Sequence, residues 1–278
     1  MEFSVFSVVI AAAALHAGWN AIVKRGTDTL ATTVLVTGGA ALLAIICLPF
    51  LPSPAPQSWP FIAASAIFQI VYFVLVARAY RVADMSLTYP LMRGTAPLLV
   101  AFASVTWLGG PLSPHAWLGL GLICGGILCM AGLRHNGAGR TGIVIALGNA
   151  VVIAGYTLID GVGVRRSGAA ASYTLWIFLL TGMALSAWAL IGPRKGFRAY
   201  ARRNWQLGLI GGVGTLGSYG LALWAMTVAP VAMVAALRET SVLFGTAISA
   251  LVLKERVGQA RIIGACIMAA GAVLLRLS

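Results

Sequence analysis

The chain has 278 residues, of which 60% are apolar and only 9% are charged, and its mean hydropathy is +0.95. Soluble domains carry about 25% charged residues, so this composition excludes an ordinary water-soluble globule. The net charge of +13 does not indicate nucleic-acid binding, because the basic residues are scattered through short connections without a soluble module to present them. We interpret the charge as a topological signal and as contact with anionic headgroups.

Long apolar runs predict ten transmembrane helices, because a helix needs roughly 20 residues to cross the hydrocarbon core. A membrane β-barrel is excluded, since its strands are alternating segments of about ten residues and these runs barely alternate. The expected fold class is therefore an all-α membrane protein. The predicted helices cover residues 3–23, 30–51, 60–79, 86–107, 115–133, 141–163, 172–192, 206–228, 231–252 and 260–276.

The two halves of the chain match each other at fixed offsets. An offset of 145 residues pairs Arg93 with Arg238, Thr95 with Thr240, Ser104 with Ser249, Gly119 with Gly264 and Gly126 with Gly271. An offset of 137 pairs Ala17-Gly18-Trp19 with Ala154-Gly155-Tyr156. We interpret these matches as two five-helix repeats, in domains 1–136 and 137–278, with chance matching in an apolar chain as the alternative. Five is odd, so the second repeat is predicted to cross the membrane inverted, as in many secondary transporters.

Basic residues are distributed unequally between the two sides of the predicted bundle. Fourteen lysines and arginines are predicted to lie on the side opposite the termini: Lys24, Arg25, Arg78, Arg81, Arg134, Arg140, Arg194, Lys195, Arg198, Arg202, Arg203, Lys254, Arg256 and Arg261. The side of the termini has three: Arg165, Arg166 and Arg276. The positive-inside rule then places both termini outside. The expected location is a cell membrane, such as a bacterial inner membrane, with the lipid bilayer as partner.

Two arginines fall deep inside predicted helices. A charge in hydrocarbon costs at least ~2.5–3.5 kcal/mol, so it indicates a functional site. Arg93 also lies between Pro90 and Pro97, which predicts a broken helix facing protein or a wet cavity. A guanidinium donates paired hydrogen bonds to carboxylate, phosphate or phosphonate. We therefore expect Arg93 and Arg238 to bind an anionic group, and the alternative is a structural ion pair between Arg93 and Glu239.

Polar and aromatic residues extend this predicted substrate site. His16, Trp19 and Asn20 share one helix face, because they stand at positions i, i+3 and i+4. Packing or anchoring at the membrane interface is the alternative role for single tyrosines and tryptophans. The further residues expected to line the cavity are Tyr89, Asn149, Tyr156, Tyr219 and Trp224, together with Tyr72.

Glu239 and Asp160 are the acids well inside the predicted helices. Burial disfavours the charged form of a carboxyl group, whereas a nearby arginine favours it. This competition allows either acid to couple transport to a proton, and we favour Glu239. Asp160 lies near its predicted helix end, where the expected alternative is that it reaches the interface or pairs with Arg165.

The sequence predicts neither enzymatic activity nor a cofactor nor a metal site. It has no phosphate-binding glycine loop with lysine and no His-Glu-x-x-His motif. The three histidines are on different segments, and the four cysteines lie in apolar segments without ligand-like spacing. Glycines four apart, such as Gly121 and Gly125, permit close helix packing, and we expect a monomer in preference to a homodimer.

Three stretches carry a family resemblance: His16-Ala17-Gly18-Trp19-Asn20 with Lys24, Tyr89-Pro90-Leu91-Met92-Arg93-Gly94 with Ala96-Pro97, and Leu253-Lys254-Glu255-Arg256 before Gly264 and Gly271. With the five-plus-five arrangement they resemble the ten-helix EamA group of the drug/metabolite transporter superfamily. The first-half turn, Leu108-Gly109-Gly110-Pro111, lacks the acidic residue of this group. Members also usually keep both termini in the cytoplasm, and here we follow the opposite charge bias.

The leading hypothesis is a secondary transporter of a small polar metabolite, anionic or zwitterionic, such as an amino acid or a phosphonate. Its substrate would move by alternating access, with proton coupling allowed by the buried acids. The alternative is a flippase for a lipid or lipid-linked carrier. A membrane-embedded enzyme would need clustered acids, and only Glu255 and Asp84 are expected at the cytoplasmic edge.

Overall fold

The computed structural model describes residues 1–82, 85–107, 109–131, 140–191, 196–251, 254 and 258–278. Several features of the sequence lie outside these residues. They are the acids Asp84 and Glu255, Leu253 and Arg256 of the acidic turn, Leu108 of the matching turn, the proposed domain boundary at 136 and 137, and the basic residues Arg134, Arg194 and Lys195.

The described residues form α-helices joined by short connections, and no strand occurs among them. The helices are α1 (Phe3–Arg25), α2 (Thr29–Cys47), α3 (Trp59–Val82), α4 (Met85–Trp107), α5 (Pro114–Ala131), α6 (Arg140–Ser167), α7 (Ala170–Ile191), α8 (Phe197–Val228), α9 (Val231–Arg238), α10 (Ser241–Leu251) and α11 (Gln259–Leu277). Each matches one predicted crossing, except that α9 and α10 share the ninth.

The helices have the length and composition of membrane spans. In the described part of the chain, eight are long and apolar enough to cross a membrane, with α9 and α10 counted together as Val231–Leu251. The arginine-bearing α4 and the shorter apolar helix at Pro114–Met130 bring the number of crossings to ten. The predicted all-α fold with ten crossings is confirmed.

The ninth crossing is broken, although the sequence predicted one helix over 231–252. The amides of Glu239 and Thr240 donate to the carbonyls of Ala236 and Leu237, three residues back instead of four. The Thr240 hydroxyl also donates to the Leu237 carbonyl, at 2.6 Å, and such local bonds compete with helix hydrogen bonding. The break expected at Pro90 and Pro97 is absent, because α4 continues as one helix through both.

Helix α8 begins at Phe197, nine residues earlier than the apolar pattern predicted. Its first turns carry Arg198, Arg202 and Arg203, so hydropathy alone could not assign them to the helix. The helix bends at Asn204, whose φ of −120° and ψ of 18° are not helical. The apolar part of α8 after this bend is the crossing itself.

The two repeats pack as an inverted pair. Helix α1 packs on α8 as α6 packs on α3, while α2 packs on α7 and α5 on α11. A two-fold axis that exchanges the repeats must turn the α1–α8 contact into the α6–α3 contact. It must also map the α2–α7 and α5–α11 contacts onto themselves, because each joins equivalent helices of the two repeats. The fold is therefore two five-helix repeats related by pseudo-two-fold symmetry.

The crossing of α5 and α11 shows that the repeats run in opposite directions. A Cβ on Gly119 would lie 2.9 Å from the carbonyl oxygen of Gly271, and one on Gly126 would lie 2.7 Å from that of Gly264. These glycines let the two backbones touch. The earlier residue of α5 thus meets the later one of α11, so the helices are antiparallel. The predicted inverted repeat is confirmed.

Both termini lie at one end of the bundle, which we call the terminal end. The amino group of Met1 donates a hydrogen bond to the backbone oxygen of Arg276, at 3.2 Å. An even number of crossings requires this arrangement. The placement of the terminal end outside the membrane stays a prediction from the positive-inside rule.

The terminal end is also where the connections of the two repeats join. The Ala55 amide donates to the Ser167 carbonyl at 2.9 Å, and the Ser172 hydroxyl donates to the Pro52 carbonyl at 2.6 Å. These bonds connect the α2–α3 loop to the end of α6 and the start of α7, so they join the two repeats at this end of the bundle.

Candidate substrate site

A cavity of about 70 Å³ lies at the interface of the two repeats. Side chains from α1, α2, α3, α4, α6, α7, α8 and α9 line it. Its α2 residues, Thr33 and Thr37, belong to the first turns of that helix, and Trp19 belongs to the last turns of α1. The cavity therefore extends from the middle of the bundle toward the end opposite the termini.

The structure brings together most of the predicted substrate residues. The predicted residues that line this cavity are Arg93, Arg238, His16, Trp19, Tyr156 and Tyr219, with Tyr72 beside them. The rings of His16 and Trp19 meet edge to face, with centroids 5.2 Å apart. An adjoining space of about 10 Å³ shares Arg93, Tyr156 and Arg238 and is also lined by Glu239.

Four predicted residues do not line the cavity. The Asn20 amide donates to the His16 carbonyl at 2.8 Å, so it bonds to its own helix. Asn149 is fully buried, with its amide 3.1 Å from the Met92 sulfur. Trp224 is 42% exposed on the outside of α8. Tyr89 stands near Arg93 and Glu239 and interacts with both electrostatically, without reaching the cavity wall.

Several polar lining residues were missed by sequence reasoning. They are Thr33, Thr37, Gln69, Thr215 and Ser218. The threonines of α2 stand at i and i+4, and the pair in α8 stands at i and i+3, so each pair shares one helix face. The same spacing argument that selected His16 and Trp19 would have found both pairs.

Arg93 makes an ion pair across the repeat interface. Its Nε atom lies 2.8 Å from Oε2 of Glu239, at the break between α9 and α10. Both residues are buried, with 6% and 4% of their surfaces exposed. The contact has ion-pair distance without hydrogen-bond geometry, and within the described chain Nη2 of Arg93 has no hydrogen-bond partner. The ion-pair alternative is therefore present, and it leaves guanidinium donors unused.

Arg238 is held in a different way. Its guanidinium carbon lies 4.9 Å from the centre of the Tyr219 ring, a cation–π contact. Among the residues the structure describes, no carboxylate is close enough to form an ion pair with it. Arg238 is the last residue of α9, and it lies on the cavity wall.

Asp160 lies behind the cavity and not at the membrane interface. It is fully buried, and its carboxylate accepts hydrogen bonds from the hydroxyls of Tyr219 and Tyr173. The expected pairing with Arg165 is wrong. Helix α6 continues to Ser167, which places Asp160 two turns inside the helix.

Arg165 instead binds the end of helix α8. Its Nε and Nη2 atoms donate to the carbonyl oxygens of Met226 and Ala229, at 2.7 and 2.8 Å. The last carbonyls of a helix lack partners within it, so this arginine caps α8 at the terminal end. The contact adds to the bonds at this end of the bundle.

The central charges balance each other. In the described segments, the ionisable groups at the repeat interface include two arginines, the buried Arg93 and the partly buried Arg238, and two buried carboxylates, Glu239 and Asp160. No three His, Cys, Asp or Glu side chains among the described residues are grouped as a metal site requires.

Comparison with known proteins identifies the family. The sequence model of the EamA-like transporter family matches residues 4–132 and 140–277, one match for each repeat. Twenty-nine chains of solved structures resemble this one. One of them, described only as "Crystal structure of protein", has a TM-score of 0.72 at 17% identity and covers 98% of this chain and 95% of its own. That likeness concerns the fold alone. A search of curated proteins returned no match.

Proposed function

Because the chain belongs to the EamA-like transporter family, we propose that this multi-pass membrane transporter carries a small anionic or zwitterionic metabolite by alternating access. The observation that carries the proposal is the buried Arg93 guanidinium on the wall of the central cavity, whose Nη2 atom has no hydrogen-bond partner among the described residues. A buried guanidinium with unused donors is unfavourable until a ligand takes them. A carboxylate, phosphate or phosphonate accepts such donors in pairs.

Glu239 acts as a competitor for the substrate in this proposal. It occupies the side of Arg93 that an incoming anion would take. Breaking a buried ion pair costs about 3–5 kcal/mol when one charge is left uncompensated. Protonation of Glu239 removes that charge, so the substrate anion and a proton bind together. Glu239 is therefore the proposed coupling residue, whereas Asp160 keeps its two tyrosine donors.

The charge balance separates two kinds of substrate. A monoanion added to a neutral set of two arginines and two carboxylates leaves one negative charge in a low-dielectric site. A proton restores the balance. A zwitterion restores it with its own ammonium group, which pairs with Glu239, and needs no proton. Dependence of uptake on a pH gradient therefore distinguishes an anionic substrate from a zwitterionic one.

Alternating access follows from the inverted repeat. At the terminal end, Arg165 binds the end of α8, and the α2–α3 loop bonds to the end of α6 and the start of α7. At the opposite end, the hydroxyls of Thr32 and Tyr200, 2.6 Å apart, connect α2 to α8. Because the repeats exchange roles in transporters of this kind, we propose that the terminal contacts and the Thr32–Tyr200 contact break in turn, so that the cavity opens to one side of the membrane at a time.

The test is uptake into proteoliposomes of labelled amino acids and organophosphonates, with and without an imposed pH gradient. Wild type is compared with Arg93→Gln. We expect accumulation of at least one anion or zwitterion in wild type, with KM raised roughly 10- to 100-fold in the variant for a lost charge-assisted pair of bonds. If Arg93→Gln takes up every tested substrate as well as the wild type does, the proposal is contradicted.

The same vesicles test the flippase alternative. A fluorescent phospholipid and an isoprenoid-linked probe are placed in the outer leaflet, and their transfer to the inner leaflet is measured. Transfer of a lipid without uptake of any aqueous substrate would favour the flippase. Accumulation of unmodified substrate inside sealed vesicles favours the carrier and excludes a membrane-embedded enzyme as its explanation.

A further inference from the structure

We propose that Asp160 and Tyr219 are positioning residues that hold the Arg238 guanidinium toward the cavity and thereby set the affinity for the anion. This inference rests on the proposed function, because it concerns the second arginine of the same site. It assigns Asp160 a role that does not require it to gain or lose a proton. The argument starts from the two different ways in which the arginines are held.

Arg238 is oriented by a ring, not by a carboxylate. Its guanidinium lies over the Tyr219 ring at 4.9 Å. A cation–π contact engages the face of the aromatic ring and takes up none of the hydrogen-bonding capacity of the five guanidinium N–H donors. These donors of Arg238 therefore stay available for a ligand in the cavity. Arg93, in contrast, has one edge occupied by Glu239.

The Tyr219 ring is itself held at both its edge and its hydroxyl. It meets the Phe178 ring edge to face, with centroids 5.6 Å apart and an interplanar angle of 83°. Its hydroxyl donates to Oδ2 of Asp160. A ring fixed at two points cannot turn away from Arg238 without breaking a buried hydrogen bond, which is costly in a low-dielectric interior.

Asp160 acts on the site through Tyr219 and not by contact with a ligand. It is fully buried and is not part of the cavity wall. Tyr173 donates to the other oxygen of its carboxylate, Oδ1. Its charge is still near enough to attract Arg238 electrostatically. The sequence of contacts thus runs from α6 through α8 to the end of α9, all within the second repeat.

Two tyrosines bonded to the same carboxylate provide a matched comparison. Tyr219 and Tyr173 each donate a phenol hydroxyl to Asp160, but in the described structure only the Tyr219 ring contacts Arg238. Tyr219→Phe and Tyr173→Phe remove the same chemical group from the same acceptor. If Asp160 had only a structural role, the two variants would behave alike.

The first readout needs no substrate. Purified protein in detergent is treated with phenylglyoxal, and modification at Arg238 is followed by peptide mass spectrometry. In Tyr219→Phe we expect the released Arg238 to turn toward Glu239, an acid that already attracts it, and to react roughly two- to tenfold more slowly, as loss of one hydrogen bond predicts. In Tyr173→Phe we expect the wild-type rate. Equal rates in both variants would overturn the proposal.

The second readout is transport of whichever labelled amino acid or organophosphonate the wild type accumulates. Tyr219→Phe should raise KM by a similar factor with little change in kcat, and Tyr173→Phe should leave KM unchanged. A drop in the number of active transporters without a change in KM, in both variants, would contradict positioning. If no substrate is found but Arg238 reacts more slowly only in Tyr219→Phe, the positioning inference stands and the proposed substrate class fails.

Discussion

The two arginine segments of this protein occupy equivalent places in the two repeats and have different structures. Arg93 lies in α4, which continues through two prolines, whereas Arg238 ends α9 at a break that contains no proline. Arg93 pairs with a carboxylate, and Arg238 stacks on an aromatic ring. The fold is symmetric, but the site is not. The difference shows that equivalent residues of an inverted repeat can take separate tasks in one site.

The asymmetry has a local physical cause. Proline removes one amide donor and bends a helix, but buried neighbours can keep the remaining turns in place. At Glu239 and Thr240 the backbone instead bonds three residues back, and the Thr240 hydroxyl satisfies the Leu237 carbonyl. The break delivers Glu239 to Arg93 across the interface. The first repeat thus contributes the paired arginine and the second contributes its acid.

Removal of Arg93 should have the largest effect on transport and on stability. Arg93→Gln should abolish most uptake and also lower the thermal stability, because Glu239 is left buried without its partner at a cost of about 3–5 kcal/mol if it stays ionised. The measurements are uptake and a thermal unfolding curve of the detergent-purified protein. The double variant Arg93→Gln/Glu239→Gln should regain stability without regaining uptake. Recovery of both would show that Arg93 is structural.

Removal of Arg238 should affect transport with a smaller change in stability. Arg238→Gln leaves no directly paired carboxylate behind in the described structure. We therefore expect KM to rise roughly tenfold, for the loss of about 1.4 kcal/mol of ligand interaction, with an unfolding temperature close to that of wild type. A loss of stability as large as that of Arg93→Gln would mean that the two arginines are held alike after all.

Glu239→Gln tests whether Glu239 couples uptake of the substrate to a proton. The variant keeps the size of the side chain and removes the charge that competes for Arg93. Uptake of an anion should become independent of the imposed pH gradient, because no proton is then needed to release the arginine. The measurement is the ratio of uptake with and without the gradient. An unchanged ratio would assign coupling to another group.

The α5–α11 crossing provides a region in which the repeats behave equally. Gly126 and Gly264 each face the other's backbone, with an added Cβ less than 3 Å from a carbonyl oxygen. Gly126→Ala and Gly264→Ala should both destabilise the fold by about 1–3 kcal/mol through overpacking, with equal shifts in unfolding temperature. Gly121→Ala is the matched control, since its Cβ would meet nothing within 4 Å. Unequal shifts in unfolding temperature would mean that the backbone follows the two-fold symmetry but the packing of the side chains does not.

The ten crossings, the inverted repeat and the central position of Arg93 and Arg238 could all be predicted from the sequence alone. These follow from properties that are local or periodic: hydropathy over about twenty residues, an offset repeated along the chain, and the cost of a charge in hydrocarbon. The same locality explains the errors. The apolar pattern continues through Glu239, so it predicted one unbroken helix there. It also predicted a later start for α8, because the first turns of that helix are basic.

Only the tertiary structure decided which groups meet. That Glu239 pairs with Arg93, that Arg238 stacks on Tyr219, and that Asp160 binds two tyrosines and not Arg165 depends on distances between helices far apart in the chain. Burial requires every charge in the bundle to find a partner, but it does not select the partner. The packing of the two repeats makes that selection, because it fixes which side chains lie within reach of each other.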